Sequence, residues 1–254
     1  MTSKENKLYF KNTEHDPTKT VIENSRNMAL DKEIQDLTKQ LMEKVSKYYY
    51  SYNYTWLGRP IIQFPQDIMA MQEIVWKVKP DLIIETGVAH GGSLIFYSSL
   101  LELIGGDGMV IGIDISVRDH NKKEIINHKM SKRITLIEGS STSDEVVERV
   151  RNLAKKKKNI LVCLDSNHTH EHVLKELNLY SSFVTKDSYL IVFDTFVEDM
   201  PEDFVKNRPW KKGDNPKTAL FEFLKTNDRF IIDKDTENKL LFTVATDGYL
   251  KCIK

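Results

Sequence analysis

Apolar residues recur along the chain with two different periods. From Leu30 they step by four, three, four, four and three through Ile34, Leu37, Leu41, Val45 and Tyr48, which predicts an amphipathic helix. Residues 1–27 before it are polar and aperiodic and read as a loose arm. The aromatic stretch "YYYSYNYTWLGRPIIQFPQD" reads as a loop, leading into a helix from about Pro65 to Lys79. Beyond it, short β-branched runs alternate with helical segments. "DLIIETG", "GMVIGIDIS", "RITLIEGSS", "NILVCLDS" and "SYLIVFDTF" predict buried strands. Helices are expected at "GGSLIFYSSLLELI", "SDEVVERVRNLAKKK", "HEHVLKELNLYSSFV" and "NPKTALFEFLKT", with "RFIID" and "GYLKCI" closing the sheet. The alternation predicts an α/β architecture, a mostly parallel sheet with helices on both faces plus an N-terminal helical extension. The expected division is 1–55 for the arm and amphipathic helix and 56–254 for the α/β domain.

In such sheets ligands bind beyond the C-terminal strand ends, near the point where strand order reverses. Every predicted strand end here is polar or glycine-rich. "ETGVAHGGS", Glu85 to Ser93, allows a tight turn and a close approach to a ligand. Its spacing departs from the G-x-G-x-x-G dinucleotide fingerprint, and Glu85 would repel a pyrophosphate. A cationic or zwitterionic ligand suits it better, and S-adenosylmethionine, with an amino group and a sulfonium, is such a ligand. Asp114, ending the second strand, can accept the hydroxyls of an adenosine ribose. "EGSS", Glu138 to Ser141, is placed to meet an adenine edge.

The segment "LDSNHTHEHV" carries Asp165 and three alternating histidines, His168, His170 and His172. Asp165 ends one predicted strand and Asp194 the next. Neighbouring strands lie ~4.8 Å apart, so the two carboxylates can converge on one hard divalent cation. His168 can ligate that ion or act as a base beside it. A helix starting near Thr169 would put His168 and His172 on one face and point His170 elsewhere. Simple helix capping is the alternative for these histidines. A metallohydrolase of the H-x-H-x-D-H kind needs later histidines, and none follows His172.

Charge and cysteines narrow the class. Lys plus Arg and Asp plus Glu are both 37, giving a net charge of zero, which argues against a nucleic-acid partner. Lys155 to Lys158 read as a solvated helix end. Cys163 and Cys252 sit in apolar runs as free thiols, with the wrong spacing for a zinc finger. The polar N-terminus lacks a signal-peptide core, and no apolar run approaches the roughly 20 residues of a spanning helix. A cytoplasmic protein with no membrane partner is expected.

The motifs "GRPIIQFPQD", "DLIIETGVAHGGSLIF", "GIDIS", "LDSNHTHEHVLKEL", "VFDT" and "GDNPKTAL" occur in this order from about Trp56 to the C-terminus. In them the chain resembles the cephalosporin hydroxylase and rhamnosyl O-methyltransferase family. Its members look like class I S-adenosylmethionine-dependent methyltransferases, so the resemblance implies the Rossmann-like class I fold. It further implies cofactor binding at Glu85, Gly87, Gly91, Gly92 and Ser93, ribose contacts from Asp114 and a contact from Ser140. Metal ligands are implied at Asp165, His168 and Asp194. Some relatives carry a second acid beside the strand-five aspartate, whereas Phe193 and Thr195 flank Asp194 here.

The chemistry so implied is metal-dependent O-methyl transfer to a sugar or other vicinal diol. Mg²⁺ or Mn²⁺ at Asp165 and Asp194 would acidify a hydroxyl, and His168 would take its proton. Loops carrying Arg59, Arg208, Trp210 and Lys217 are expected over the acceptor, where they could meet the phosphate of a nucleotide-linked sugar. His170 is counted with them. Iron- and oxygen-dependent hydroxylation is the alternative, and a non-catalytic cofactor-binding partner a third. The amphipathic helix either covers the core or pairs copies into a homo-oligomer. Lys-, Asn- and Ile-rich composition suggests an AT-rich bacterial genome, with surface-carbohydrate biosynthesis as the expected setting.

Overall fold

Asp31 divides the N-terminal segment into two helices. In the computed structural model, which describes residues 17–202 and 204–254, helix α1 spans Pro17–Leu30 and α2 spans Lys32–Ser46. The Asp31 carboxylate accepts from the amides of Glu33 (3.0 Å) and Ile34 (3.2 Å), so it starts α2 as an N-cap. The loose arm expected over 1–27 is therefore corrected from Pro17 onward, and its earlier part lies outside the described residues. Val21 and Ile22 are adjacent rather than three or four apart, which hid α1 from a periodicity test. Arg26 pins this helix with a bidentate contact to Asp235 at 2.9 and 3.0 Å. In α2, Met42 enters the core while Leu37 and Leu41 remain exposed.

A short hairpin, β1 (Thr55–Trp56) and β2 (Arg59–Pro60), replaces part of the expected loop. Trp56 meets Phe96 edge-on at 4.8 Å, and its indole N–H donates to Ser99 Oγ at 2.9 Å. Then come α3 (Pro65–Val78), β3 (Leu82–Thr86), α4 (Gly92–Ile104), β4 (Met109–Asp114) and α5 (Asp119–Asn127). They are followed by β5 (Ile134–Glu138), α6 (Asp144–Ala154), β6 (Ile160–Leu164), α7 (His170–Tyr180) and β7 (Tyr189–Val192). The chain closes with α8 (Pro216–Thr226), β8 (Phe230–Ile232), α9 (Lys234–Glu237) and β9 (Tyr249–Cys252). Every strand expected in the α/β region is present. Helix α5 was not anticipated, because it sends only Asn121 and Ile125 inward.

The larger sheet has the order β5-β4-β3-β6-β7-β9-β8, with β9 antiparallel to both its neighbours. From β3 the chain moves outward through β4 to β5, then returns to lay β6 on the other side of β3. That reversal opens a crevice above the C-terminal ends of β3 and β6. The central strands are buried on both faces, Ile83, Leu161 and Ile191 in one core and Ile84, Val162 and Val192 in the other. This explains their continuous apolar runs. Helix α4 is apolar nearly all round, and the Trp56 hairpin covers it. No helix among the described residues is long and apolar enough to cross a membrane.

Asp67 of α3 is fully buried and ties that helix to the segment before β9. It accepts from the Thr243 hydroxyl, from the Val244 amide at 3.0 Å and from the Tyr249 hydroxyl at 2.7 Å. Burial pushes its carboxyl from 3.8 up to about 6, against the pull of these donors. The folded state thus holds this proton more tightly than the unfolded chain. Its contribution to stability is complete below about pH 4 and is lost as pH rises through about 6. Asp67→Asn cannot titrate. Denaturant unfolding should show wild type losing on the order of 2–3 kcal/mol relative to the variant between about pH 4 and pH 7. A pH-independent difference would refute this assignment.

Candidate active site

Three strand ends meet at the crevice. Gly87, just after β3, has φ +91°, and a Cβ there would stand 1.9 Å from the Asp165 carbonyl oxygen. Only glycine lets the β3–α4 loop lie against the end of β6, where the Asp165 amide also donates to Thr86 O at 2.9 Å. A Cβ on Gly92 would stand 2.1 Å from the Pro60 carbonyl, and one on Gly91 would strike Ile125. Each loop glycine is thus accounted for by contact with the chain itself, where the sequence had suggested approach to a ligand. One strand further on, Asp194 takes the left-handed conformation at φ +56°, uncommon for a residue with a side chain.

That turn brings Asp194 Oδ2 to 3.0 Å from His168 Nε2. Asp165, His168 and Asp194 each offer a ligand atom, and these atoms lie within 4.8 Å of one another. The protein packed around Asp165 pushes its carboxyl well above the usual carboxylate range, and the charges of Asp194, Glu85 and Glu176 add to the shift. Gln63 Nε2 opposes it, donating to Asp165 Oδ2 at 3.2 Å. Two carboxylates and one imidazole, short of positive charge, fit a hard divalent cation. They do not make the two-histidine, one-carboxylate set that the iron alternative requires.

Glu85 is 1% exposed; its Oε2 accepts from Ser93 Oγ at 2.5 Å, while Oε1 has no hydrogen-bond partner. Burial pushes its carboxyl up to about 8, opposed by the hydroxyls of Ser93 and Tyr97. A buried carboxylate oxygen without a donor is a group that a ligand ammonium would complete. Asp114 is already occupied. Its Oδ2 accepts from the amides of Val88 (2.9 Å) and Ala89 (3.3 Å), and its Oδ1 from Ser116 at 3.0 Å. It braces the glycine loop, and a ribose would use its remaining lone pairs. Ser140 Oγ lies 3.1 Å from Thr142 Oγ1 in the turn entering α6.

A cleft of about 400 Å³ opens beside these groups. Gly87, Gly92, Ser93, Asp165, His168 and Asp194 belong to its wall, with Tyr49, Tyr50, Tyr52, Phe196, Phe204, Arg208 and Trp210. Trp210 meets the His168 ring edge-on at 4.7 Å and lies 5.3 Å beneath the Arg208 guanidinium. Glu85, Gly91, Asp114 and Ser140 stand outside the wall.

The other expected acceptor contacts fall elsewhere. His170 is corrected: Nδ1 lies 2.8 Å from Thr218 Oγ1, Nε2 lies 3.2 Å from Glu222, and the ring docks α7 on α8. His172 Nε2 lies 3.2 Å from both Ser141 and Ser166, so it does not share a direction with His168, which precedes the helix. Lys217 is corrected too, since its ammonium is held by Asp199 at 2.6 Å and Asp247 at 2.9 Å. Arg59 grips the glycine loop, donating to His90 O at 2.7 Å. Of the five residues expected over the acceptor, Arg208 and Trp210 reach the cleft. Sequence reasoning missed Gln63, although it lies inside the "GRPIIQFPQD" motif, and no spacing rule would have paired it with Asp165.

Comparison with known proteins agrees with this architecture. The family model described as rhamnosyl O-methyltransferase/CmcI matches residues 48–253. The rhamnosyl O-methyltransferase of Mycobacterium leprae (strain TN) is 30% identical over 220 residues, covering 84% of this chain and 91% of the relative. That of Mycobacterium tuberculosis (strain ATCC 25618 / H37Rv) is 28% identical, covering 82% and 83%. A CmcI structure with Mg and S-adenosylmethionine superposes with a TM-score of 0.56 at 20% identity, covering 80% of this chain and 78% of that one. An O-methyltransferase from Bacillus cereus in complex with S-adenosylhomocysteine gives 0.52 at 12% identity, covering 93% and 99%. At such identities these structures speak for the fold. The sequence match speaks for more: the chain belongs to the rhamnosyl O-methyltransferase/CmcI family.

Proposed function

We propose that this chain is a metal-assisted, S-adenosylmethionine-dependent O-methyltransferase acting on a sugar hydroxyl. The convergence of Asp165, His168 and Asp194 beside the glycine loop carries the proposal. S-Adenosylmethionine supplies an activated methyl group on a sulfonium, which departs as a neutral thioether when the hydroxyl oxygen takes the methyl. A divalent cation, Mg²⁺ or Mn²⁺, supplies charge that makes a neighbouring hydroxyl more acidic. Asp165 and Asp194 would hold that cation, with His168 beside it as the base. Glu85 receives the ammonium of the cofactor, and Ser93 orients its carboxylate. Gly87, Gly91 and Gly92 shape the loop, Asp114 and Ser140 stand on the ribose and adenine side, and Gln63 fixes the Asp165 carboxylate. His168 accepts the hydroxyl proton; Asp194, 3.0 Å away, stabilises the resulting imidazolium.

The relatives named rhamnosyl O-methyltransferase support a sugar acceptor. Tyr49, Tyr52 and Trp210 give the cleft aromatic lining suited to a sugar or base, and Arg208 a guanidinium suited to a phosphate, which supports a nucleotide-linked sugar of bacterial surface-carbohydrate biosynthesis. The exposed Leu37 and Leu41 support pairing of copies through α2, although the extension is not separate from the expected 56–254 domain: its Met42 enters the core and its Tyr49, Tyr50 and Tyr52 line the cleft. Buried free Cys163 and Cys252 suit a cytoplasmic setting.

His168→Gln should bind S-adenosylhomocysteine normally and lose about 10²–10⁴ in turnover. If Mn²⁺ binding falls with it, His168 is primarily a ligand; full activity would remove it from the mechanism. Glu85 must ionise to receive an ammonium, and below about pH 8 its buried carboxyl is protonated. Calorimetric affinity for S-adenosylhomocysteine should therefore rise about tenfold or more between roughly pH 6.5 and 8, with proton release. Glu85→Gln should bind weakly at every pH, and a pH-independent wild type would remove the ammonium assignment. For the acceptor, Arg208→Ala should raise KM about tenfold for a nucleoside-diphosphate rhamnose and leave methyl rhamnoside unaffected. Equal effects on both would discard the nucleotide linkage.

A further inference from the structure

Arg59 and Asn121 take no part in the cleft wall, yet they hold two residues that do, Ala89 and His90. The Arg59 guanidinium donates to the His90 carbonyl through Nη2 (2.7 Å) and Nε (3.2 Å), and to Asn121 Oδ1 through Nη2 (3.0 Å). Asn121, 3% exposed, passes the contact on, its Nδ2 donating to the Ala89 carbonyl at 3.0 Å. Consecutive carbonyls of the glycine loop are therefore gripped by this pair, while the amides of Val88 and Ala89 are gripped by Asp114. The loop needs such support. Ala89 sits at φ +44°, a conformation disfavoured for any L-residue and kept only where the surroundings over-determine it.

The same segment acts at a second point. From Arg59 it runs through Pro60, whose carbonyl touches the bare face of Gly92, to Gln63, whose amide donates to Asp165. One strap thus spans from the loop expected to receive the cofactor to a carboxylate of the candidate metal site. Glu124, 3.9 Å from Nη1, offsets the guanidinium charge, so Arg59 is already committed and poorly placed to meet a phosphate. Its planar fork holds two acceptors in one fixed geometry, which the flexible ammonium of a lysine fixes less well.

We propose that Arg59, relayed by Asn121, is a positioning residue for the methyl donor: it presets the loop from Gly87 to Gly92 in the shape that receives S-adenosylmethionine. This rests on the cofactor assignment made under the proposed function. Preorganisation of this kind acts on affinity by sparing the ligand the ordering of its own site.

The test is calorimetric titration of S-adenosylhomocysteine into the full chain, alongside Mn²⁺ titration without it. Arg59→Met and Asn121→Ala should each weaken S-adenosylhomocysteine binding at least about tenfold, and Arg59→Lys should recover part of the loss. Mn²⁺ affinity should stay within about twofold, because neither residue touches the carboxylates. In the ligand-free Arg59→Met protein, amide exchange at Val88 and Ala89 should accelerate while β6 stays protected. Unchanged S-adenosylhomocysteine affinity in Arg59→Met overturns the proposal. So does a parallel loss of Mn²⁺ binding or of β6 protection, which would make Arg59 a general support of the fold. A wild type that does not bind S-adenosylhomocysteine overturns the cofactor assignment and this inference with it, an outcome distinct from wild type and variant binding equally.

Discussion

A missing side chain holds the site together. With no Cβ at Gly87, the backbone after β3 can rest on the carbonyl of Asp165 after β6. The loop beside Glu85 and the first carboxylate of the candidate metal site are thereby held against each other. Asp194 joins from β7, turned into the group by its left-handed backbone, and His168 closes it from the entrance to α7. Methyl transfer demands that a hydroxyl and a donor carbon meet in line within a fraction of an ångström. A direct backbone contact between the two half-sites suits that demand better than loops that move independently.

Much of the architecture could be read before any coordinates because the central strands are buried on both faces. Runs such as "LIIET" and "ILVCL" admit no polar alternation, and their ends are where polarity returns. Asp165 and Asp194 were legible for that reason, and Glu85 because a carboxylate stands two residues before the first glycine of the loop. Direction was not legible. His168, His170 and His172 alternate evenly, yet they turn to Asp194, to Thr218 and Glu222, and to Ser141 and Ser166 respectively. Arg59 and Lys217 look like free cations in sequence; their partners His90, Asp199 and Asp247 come from distant segments. Helices α1 and α5 escaped notice because neither presents an apolar stripe of ordinary width.

Two motifs that look chemical turn out to explain one another. Asp214 accepts the His170 amide at 2.8 Å at the start of α7, while Asn215 caps α8 in a reciprocal box with Thr218. "HTHEH" and "GDNPKT" therefore meet as the two ends of a helix–helix joint, and His168 is left as the one histidine of the trio on the cleft wall. The joint fixes the start of α7, and with it the distance from His168 to the carboxylates.

The strand order also sets a timetable for synthesis. Leu82 of β3 pairs with Ile160 of β6, which lies 78 residues further along the chain. While the nascent protein is extending, β3 can zip to β4, but its other edge waits for more than half of the α/β region to be made. The interval leaves one edge of a strand that begins Leu82-Ile83-Ile84 unpaired and exposed to neighbouring chains. Only when β6 arrives does Asp165 reach Gly87, so the first contact of the candidate site forms together with the second edge of β3, and Asp194 follows with β7. Conditions that slow elongation near residue 160 would therefore lengthen the aggregation-prone interval, even for a chain whose finished fold is secure.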